Sequence, residues 1–97
     1  MPLPVEFLEE AEAELDDGYA WYEHKAKLGL AFAGAVDDAI RRIEAHPEFH
    51  QRAVGQIRRA VVQRFPYCIY YLLESERIVV LAIFHARRDP TVLLDRS

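Results

Sequence analysis

Residues 57–84 read IRRAVVQRFPYCIYYLLESERIVVLAIF and contain three successive runs that are typical of β-strands. The runs cover 57–65, 67–73 and 78–84, and the last two are joined by the short polar segment 74–77. Valine, isoleucine and tyrosine dominate them, as expected for residues on a pleated, half-buried surface. Short connections between consecutive strands predict an antiparallel meander. The run 78–84 has no polar side chain, so we expect this strand at the centre of the sheet with a strand on each side.

The N-terminal half predicts one strand followed by two helices. Leu3, Val5 and Phe7 alternate with other residues, which indicates a short strand that Pro4 restricts to an edge or to a strand start. Apolar residues then recur every three or four positions over 8–26, and again over 32–43, which predicts two amphipathic helices. Pro47 ends the second helix, because the residue before a proline is pushed out of helical geometry.

The two predicted helices form a hairpin that we expect to cover one face of the sheet. Small residues at the start of the second helix are expected to let the two helices approach closely; they are Ala31, Ala33, Gly34 and Ala35. Residues 47–56 show no periodicity and are expected to form a loop. The order strand, helical hairpin and three-stranded meander predicts an α+β fold with a four-stranded sheet.

Length and composition predict one small globular domain covering residues 1–97. The chain has 97 residues, of which 52% are hydrophobic and 29% charged, a size and composition typical of a single domain. No apolar stretch is long enough for a membrane helix, and the N-terminus has no export signal, so we expect a cytoplasmic protein. The single cysteine, Cys68, cannot form an intrachain disulfide and fits a reducing compartment.

Positive charge is concentrated in the C-terminal half. Residues 1–48 carry 12 acidic and 4 basic side chains (4 − 12 = −8), whereas residues 49–97 carry 4 acidic and 8 basic ones (8 − 4 = +4). All eight basic residues of the second half are arginines. Guanidinium groups bind carboxylates and phosphates through two parallel hydrogen bonds, so the pattern favours recognition of an anionic macromolecule. An arginine-rich genome would give the same count, and this alternative stays open.

Strand periodicity assigns these arginines to faces of the sheet. Arg58 and Arg64 are expected on one face, and Arg59 on the other. For each arginine alone, a solvated side chain paired with a carboxylate such as Glu74 or Glu76 is the better explanation, whereas the group as a whole favours recognition.

Chemistry-bearing residues are few. His85 ends the last predicted strand beside Arg87 and Arg88, where a histidine can act as general acid or base while arginines hold a phosphate. A histidine that binds backbone at a strand end explains the same position. His46 and His50 are four residues apart, but Pro47 interrupts the helical geometry that would align them on a metal. No metal site and no cofactor-binding motif is predicted.

The sequence resembles the RelE/ParE superfamily of toxins from type II toxin-antitoxin modules, and in particular its ParE-like branch, often described as plasmid stabilisation proteins. Three segments carry the resemblance: VEFLEEAEAEL at 5–15, RFPY followed by IYY at 64–71, and IFHARRDP at 83–90. Their order and spacing cover nearly the whole chain. The predicted strand, helical hairpin and meander match the architecture of that superfamily.

The resemblance implies a toxin that is neutralised by a cognate antitoxin, whose acidic or amphipathic C-terminal segment wraps around the toxin. ParE-like members inhibit DNA gyrase without catalysis, whereas RelE-like members cut messenger RNA in the ribosome with lysines, arginines and a late tyrosine or histidine. The chain has no lysine after Lys27 and neither tyrosine nor histidine after Arg88, which favours the gyrase inhibitor.

The residues expected to contact the target or the antitoxin share an arginine-rich or apolar character in the C-terminal half; they are Arg58, Arg59, Arg64, Tyr67, His85, Arg87, Arg88, Leu93 and Leu94. Packing back onto the domain explains the apolar tail equally well. A ribonuclease would use His85 with Arg58, Arg64 or Arg87, and a non-toxic binding module is the third hypothesis. Direct binding of nucleic acid is left open.

Overall fold

The computed structural model describes residues 2–97 and has an α+β fold. The elements follow in the order β1 (Val5–Phe7), α1 (Glu9–Ala26), α2 (Gly29–Ala45), β2 (Arg52–Val54), β3 (Ile57–Val62), β4 (Tyr67–Leu73), β5 (Ile78–His85) and a C-terminal 3₁₀ helix (Pro90–Asp95). The strands form one five-stranded sheet in the order β1-β5-β4-β3-β2. β1 runs parallel to β5, and the other neighbours are antiparallel. The helical hairpin and the meander of β3, β4 and β5 confirm the predicted α+β class.

The expectation of a four-stranded sheet is wrong, because residues 47–56 contain β2. This strand has only three residues, too few for an alternating pattern to be recognised. Gly55 adopts the left-handed conformation (φ 54°) in the turn to β3, which returns the chain antiparallel. Arg52 pairs with Arg58, and Val54 with Ile57.

β3 ends three residues earlier than the sequence pattern predicts. Residues 63–66 form a turn in which Arg64 has a positive φ of 75°. Pro66 lacks a backbone N–H and therefore cannot donate to a strand ladder. Arg64 consequently lies in the turn and does not share a strand face with Arg58, which corrects the expectation from periodicity.

The helical hairpin packs on one face of the sheet, which we call the helix face. α1 starts with the acidic residues Glu9, Glu10 and Glu12, which the positive end of the helix dipole favours, and ends at Lys27 in the left-handed conformation. α2 ends at Ala45, two residues before Pro47, as predicted.

Close approach of the helices depends on Gly18 in α1. A Cβ at this position would lie 2.7 Å from the ring of Phe32, a buried residue of α2. The expectation for the small residues of α2 is wrong at Gly34, since a Cβ there would meet nothing within 4 Å.

Both faces of β5 are covered, which explains its lack of polar residues. On the helix face, Ile78, Val80 and Ile83 belong to the core beneath the two helices. On the opposite face, which we call the far face, a second buried cluster includes Tyr70 and Leu93 of the C-terminal 3₁₀ helix. β5 lies between β1 and β4, so the prediction that it has a strand on each side is confirmed. The expectation that it occupies the centre of the sheet is wrong, because β2 extends the sheet on the other side and makes β4 the central strand. Within residues 2–97, no helix is long and apolar enough to cross a membrane.

Candidate interaction surface

One end of the sheet gathers five of the predicted site residues, and we call this group the turn-end cluster. Its members are Arg64, Tyr67, His85, Arg87 and Arg88. The β3–β4 turn lies here beside the end of β5, because Tyr67 pairs with His85 and the N–H of Ala86 donates to the carbonyl of Pro66 at 2.9 Å. The rings of Tyr67 and His85 are 6.0 Å apart.

His85 is exposed, and its ring forms a hydrogen bond with the backbone. Its Nδ1 atom accepts a hydrogen bond of 3.1 Å from the N–H of Arg87, which places the proton of the neutral ring on Nε2. This contact fits the structural interpretation of the histidine.

Arg58 lies outside the turn-end cluster. Its register partner is Tyr71, four residues along β4 from Tyr67, the partner of His85. This separation corresponds to about 13 Å along the sheet. The Arg58 guanidinium donates to the carbonyls of Glu48 and His50, at 3.1 and 2.7 Å, and so holds the loop after α2. The set proposed for a ribonuclease is therefore not assembled at one place.

Arg59 lies on the far face, as its position in β3 predicts. It shares this face with Val61, which is 60% exposed, and with buried Tyr70 and Cys68. The Tyr70 hydroxyl has no hydrogen-bond partner among residues 2–97. Burial raises the pKa of Tyr70, and the nearby positive charge of Arg59 offsets part of the rise. Burial also raises the pKa of Cys68, which keeps the thiol protonated and unreactive.

The Arg88 side chain interacts with two groups of the same chain. Its guanidinium stacks on the ring of Phe84 at 4.6 Å and lies 3.5 Å from Glu14 of α1. Arg96 donates two hydrogen bonds to the same carboxylate, at 3.1 and 3.0 Å. Arg88 therefore contributes less free charge to the surface than the sequence predicts.

Glu14 also binds the part of the β5 edge that extends past its pairing with β1. It accepts a hydrogen bond of 3.1 Å from the N–H of Ile83, while Arg96 donates to the carbonyl of Leu81 at 3.0 Å. These side chains bind the strand groups that β1 does not reach. Sequence reasoning missed this pair, because no local pattern distinguishes Glu14 from the other acidic residues of α1 or connects it to a residue 82 positions away.

Five arginines of the basic half form no ion pair within residues 2–97; they are Arg52, Arg58, Arg59, Arg64 and Arg87. Arg64 and Arg87 lie at the turn end, and Arg52 lies on the outermost strand. The expected single basic surface is thus not formed, since Arg58 and Arg59 lie on opposite faces of β3, away from the turn end.

Two grooves flank the turn-end cluster. One, of about 290 Å³, runs between α1 and β5 and is lined by aromatic and acidic residues, among them Asp17, Trp21, Tyr67 and His85. Burial, with smaller effects from Tyr22 and Asp17, raises the pKa of Tyr67. The other, of about 230 Å³, lies between α2 and the β3–β4 turn. Its lining residues include Ala31, Gly34, Asp38 and Arg64.

The apolar tail is divided between the core and the surface. Leu93 is fully buried against the far face, so it is not available to a partner, whereas Leu94 is 52% and Val92 39% exposed. The side chain of Leu94 approaches Gly55 in the β2–β3 turn. Within residues 2–97, no group of three or more histidine, cysteine or acidic side chains is placed to hold a metal.

Comparison with known proteins identifies the family. Residues 5–90 match the family model described as ParE toxin of type II toxin-antitoxin system, parDE. A solved structure titled "Chromosomal ParDE TA system from P. aeruginosa" superposes with a TM-score of 0.77 at 17% identity, over 86% of this chain and 95% of that chain. No curated protein sequence matches. Since the family model spans 86 of 97 residues (90 − 5 + 1 = 86), the chain belongs to the ParE toxin family of type II toxin-antitoxin systems.

Proposed function

We propose that the chain is a toxin that arrests bacterial growth by binding DNA gyrase and that a cognate antitoxin neutralises it. This proposal is carried by two arginines that form no ion pair within residues 2–97: Arg64 lines one groove, and Arg87 follows two residues after His85, which lines the other. Guanidinium groups beside such grooves, which combine apolar and polar lining residues, favour contact with a protein that carries carboxylates opposite the arginines. The toxin then acts as an inhibitor in the cytoplasm, without a cofactor.

The same geometry supports a site for the antitoxin. We place an amphipathic segment of the antitoxin across the two grooves, with its apolar side chains against Trp21 and Tyr67 and its carboxylates on Arg64 and Arg87, away from the acidic lining residues Asp17 and Asp38. A segment that folds on binding can follow such a curved surface around the turn. Trp21 borders one groove and is 56% exposed, so it provides an apolar contact for that segment.

Expression of the chain with and without the antitoxin tests this function. We expect growth arrest with DNA-damage signalling in the absence of the antitoxin, unchanged transcript ends, and recovery on co-expression. New transcript ends would support the ribonuclease, for which the exposed position of His85 beside Arg87 is the observation in favour. Normal growth at high expression would support a non-toxic binding module and contradict the proposal.

A further inference from the structure

The groove between α1 and β5, which we call the α1–β5 groove, contains the exposed carboxylate of Asp17. This carboxylate forms no ion pair within residues 2–97. Glu14, the other acidic lining residue, is bound by Arg96 and lies near Arg88. In the described part of the chain, no lysine or arginine lines the groove. A cation that enters the groove can therefore reach Asp17 directly.

One face of α1 forms a wall of this groove. Glu14, Asp17, Gly18 and Trp21 have the spacing of residues that share a helix face. Gly18 leaves this face open to the sheet, since a Cβ there would lie only 3.5 Å from Cε2 of Tyr67. Burial raises the pKa of Tyr67, and the negative charge of Asp17 adds to the rise. The Tyr67 ring therefore lies against the α1 backbone, within electrostatic reach of Asp17.

Aromatic side chains supply much of the remaining lining; they are Trp21, Tyr67, Phe84 and His85. The faces of aromatic rings attract cations, and tryptophan does so most strongly. The Trp21 ring is 56% exposed and already attracts a cation of its own chain, since Nζ of Lys25 lies 5.1 Å from the ring centroid. Lys25 does not line the groove and leaves it open. A carboxylate beside an exposed tryptophan favours a cationic side chain over an apolar or anionic one.

We infer that the α1–β5 groove binds an arginine side chain of the antitoxin segment, with the guanidinium on Asp17 and the methylene stem along Trp21 and Tyr67. A guanidinium stacks on aromatic rings, binds a carboxylate through two hydrogen bonds and is less strongly hydrated than an ammonium group. Its stem makes the apolar contacts of the groove at the same time. The inference rests on the proposed function for the identity of the partner, and it adds a positive charge to the segment that also binds Arg64 and Arg87.

Trp21 is the single tryptophan of the chain and therefore reports on the groove directly. The purified full-length chain is titrated with N-acetyl-arginine amide while the fluorescence and the indole N–H NMR signal of Trp21 are recorded. We expect a saturable change, and binding about fivefold or more weaker for the uncharged analogue N-acetyl-citrulline amide. N-acetyl-lysine amide should bind about threefold or more weaker than the arginine probe. Equal binding of the arginine and citrulline probes would overturn the inference, and equal binding of the lysine probe would overturn the choice of arginine.

Asp17→Asn should weaken binding of the arginine probe by about fivefold or more and lower the affinity for the cognate antitoxin, because the carboxylate is lost. Asp16→Asn is the matched control, since Asp16 is the exposed neighbour of Asp17 in α1 and does not line the groove. This control should bind the probe and the antitoxin as the wild type does. The thermal midpoint of Asp17→Asn should equal that of the wild type, which shows that the fold is kept.

The outcomes separate the inference from the proposed function. Unchanged binding of the arginine probe by folded Asp17→Asn would overturn the site and leave the proposed function intact. Unchanged antitoxin affinity of the same variant would overturn the assignment of the arginine to the antitoxin. Normal growth at high expression of the wild-type chain would contradict the proposed function, while the titration at Trp21 would still judge the groove.

Discussion

Glu14 connects three distant parts of the chain at one carboxylate. It binds the backbone of β5, the guanidinium of Arg96 near the C-terminus, and more distantly Arg88. The side chains of Glu14 and Arg96 are 16% and 15% exposed, so solvent screens this pair less than a surface pair. Hydrogen bonds to charged groups contribute more to stability than neutral ones.

Glu14→Gln should therefore lower the free energy of unfolding by about 1–3 kcal/mol. The amide keeps the size of the side chain but loses the charge that faces Arg96 and Arg88. Asp16→Asn, at an exposed position of α1, is the control and should change stability by less than about 0.5 kcal/mol. Urea denaturation of both variants measures the difference, and equal stability of Glu14→Gln and wild type would contradict the assigned role.

Tyr71 makes the stability of the protein depend on alkaline pH. Burial raises the pKa of its hydroxyl from 10.0 to about 12. The unfolded chain then releases this proton at lower pH than the folded chain. The protonated Tyr71 hydroxyl therefore contributes its full share to the free energy of unfolding below pH 10. This contribution is lost as the pH rises to about 12.

Tyr71→Phe should cost about 1 kcal/mol at pH 8, because the hydrogen bond to Pro47 is lost. Between pH 8 and pH 11, wild type should lose about 1 kcal/mol more than this variant. Urea denaturation at both pH values measures the two effects. Tyr19→Phe, on the exposed side of α1, should follow wild type. Parallel pH profiles for wild type and Tyr71→Phe would contradict the assignment.

Single residues were the hardest level to predict from the sequence. Periodicity placed Arg58 and Arg59 on opposite faces of β3, but it does not reveal that Arg58 binds carbonyls of a loop eight and ten residues earlier. Leu93 and Leu94 are equally apolar in the sequence, yet only Leu93 is buried. Such differences arise from tertiary contacts that no short pattern encodes.

At the level of elements, two glycines of the helical hairpin have opposite roles. Gly18 faces the ring of Phe32, which stacks on Tyr22 at a centroid distance of 5.1 Å and cannot move aside easily. Gly34 has open space where a Cβ would stand. Both lie inside helices, where alanine is intrinsically preferred to glycine.

Gly18→Ala should destabilise the protein by about 1–3 kcal/mol, since the added methyl group overpacks the helix contact. Gly34→Ala should stabilise it by about 0.5–1 kcal/mol through helix propensity alone. Thermal denaturation of the two variants side by side tests the packing directly. The same sign for both changes would contradict the described contact between the helices.

The sequence predicted most elements because their patterns are long. Eighteen residues of α1 and the unbroken apolar run of β5 leave little ambiguity about type and burial. β2 escaped prediction because three residues carry no period, and its pairing depends on the turn at Gly55. The early end of β3 depends on the positive φ of Arg64, a conformation that arginine itself does not signal.

For the whole molecule, the division of charge matters more than the net charge of −4. Part of the basic half is neutralised internally, where Arg77 pairs with Glu6 and Glu74 and Arg96 pairs with Glu14. The sequence shows how many arginines there are but not which ones are paired. The remaining charge at the turn end is what we assign to partner binding.

The double variant Arg64→Gln/Arg87→Gln should reduce growth inhibition and antitoxin affinity by about tenfold or more, because two rim charges next to the grooves are lost. Glutamine keeps the length of both side chains, so the fold should remain unchanged. Arg41→Gln is the control, since Arg41 is an exposed arginine of α2 that pairs with Asp37 at 3.0 Å. Unaltered inhibition by the double variant would remove both residues from the proposed surface.

The most direct measurement is the supercoiling activity of purified gyrase titrated with the purified chain, with and without its antitoxin. We predict that the wild-type chain inhibits supercoiling in proportion to its concentration, that the antitoxin restores activity, and that Arg64→Gln/Arg87→Gln requires about tenfold more protein. Full gyrase activity at every concentration of a folded chain that arrests growth in cells would contradict the account.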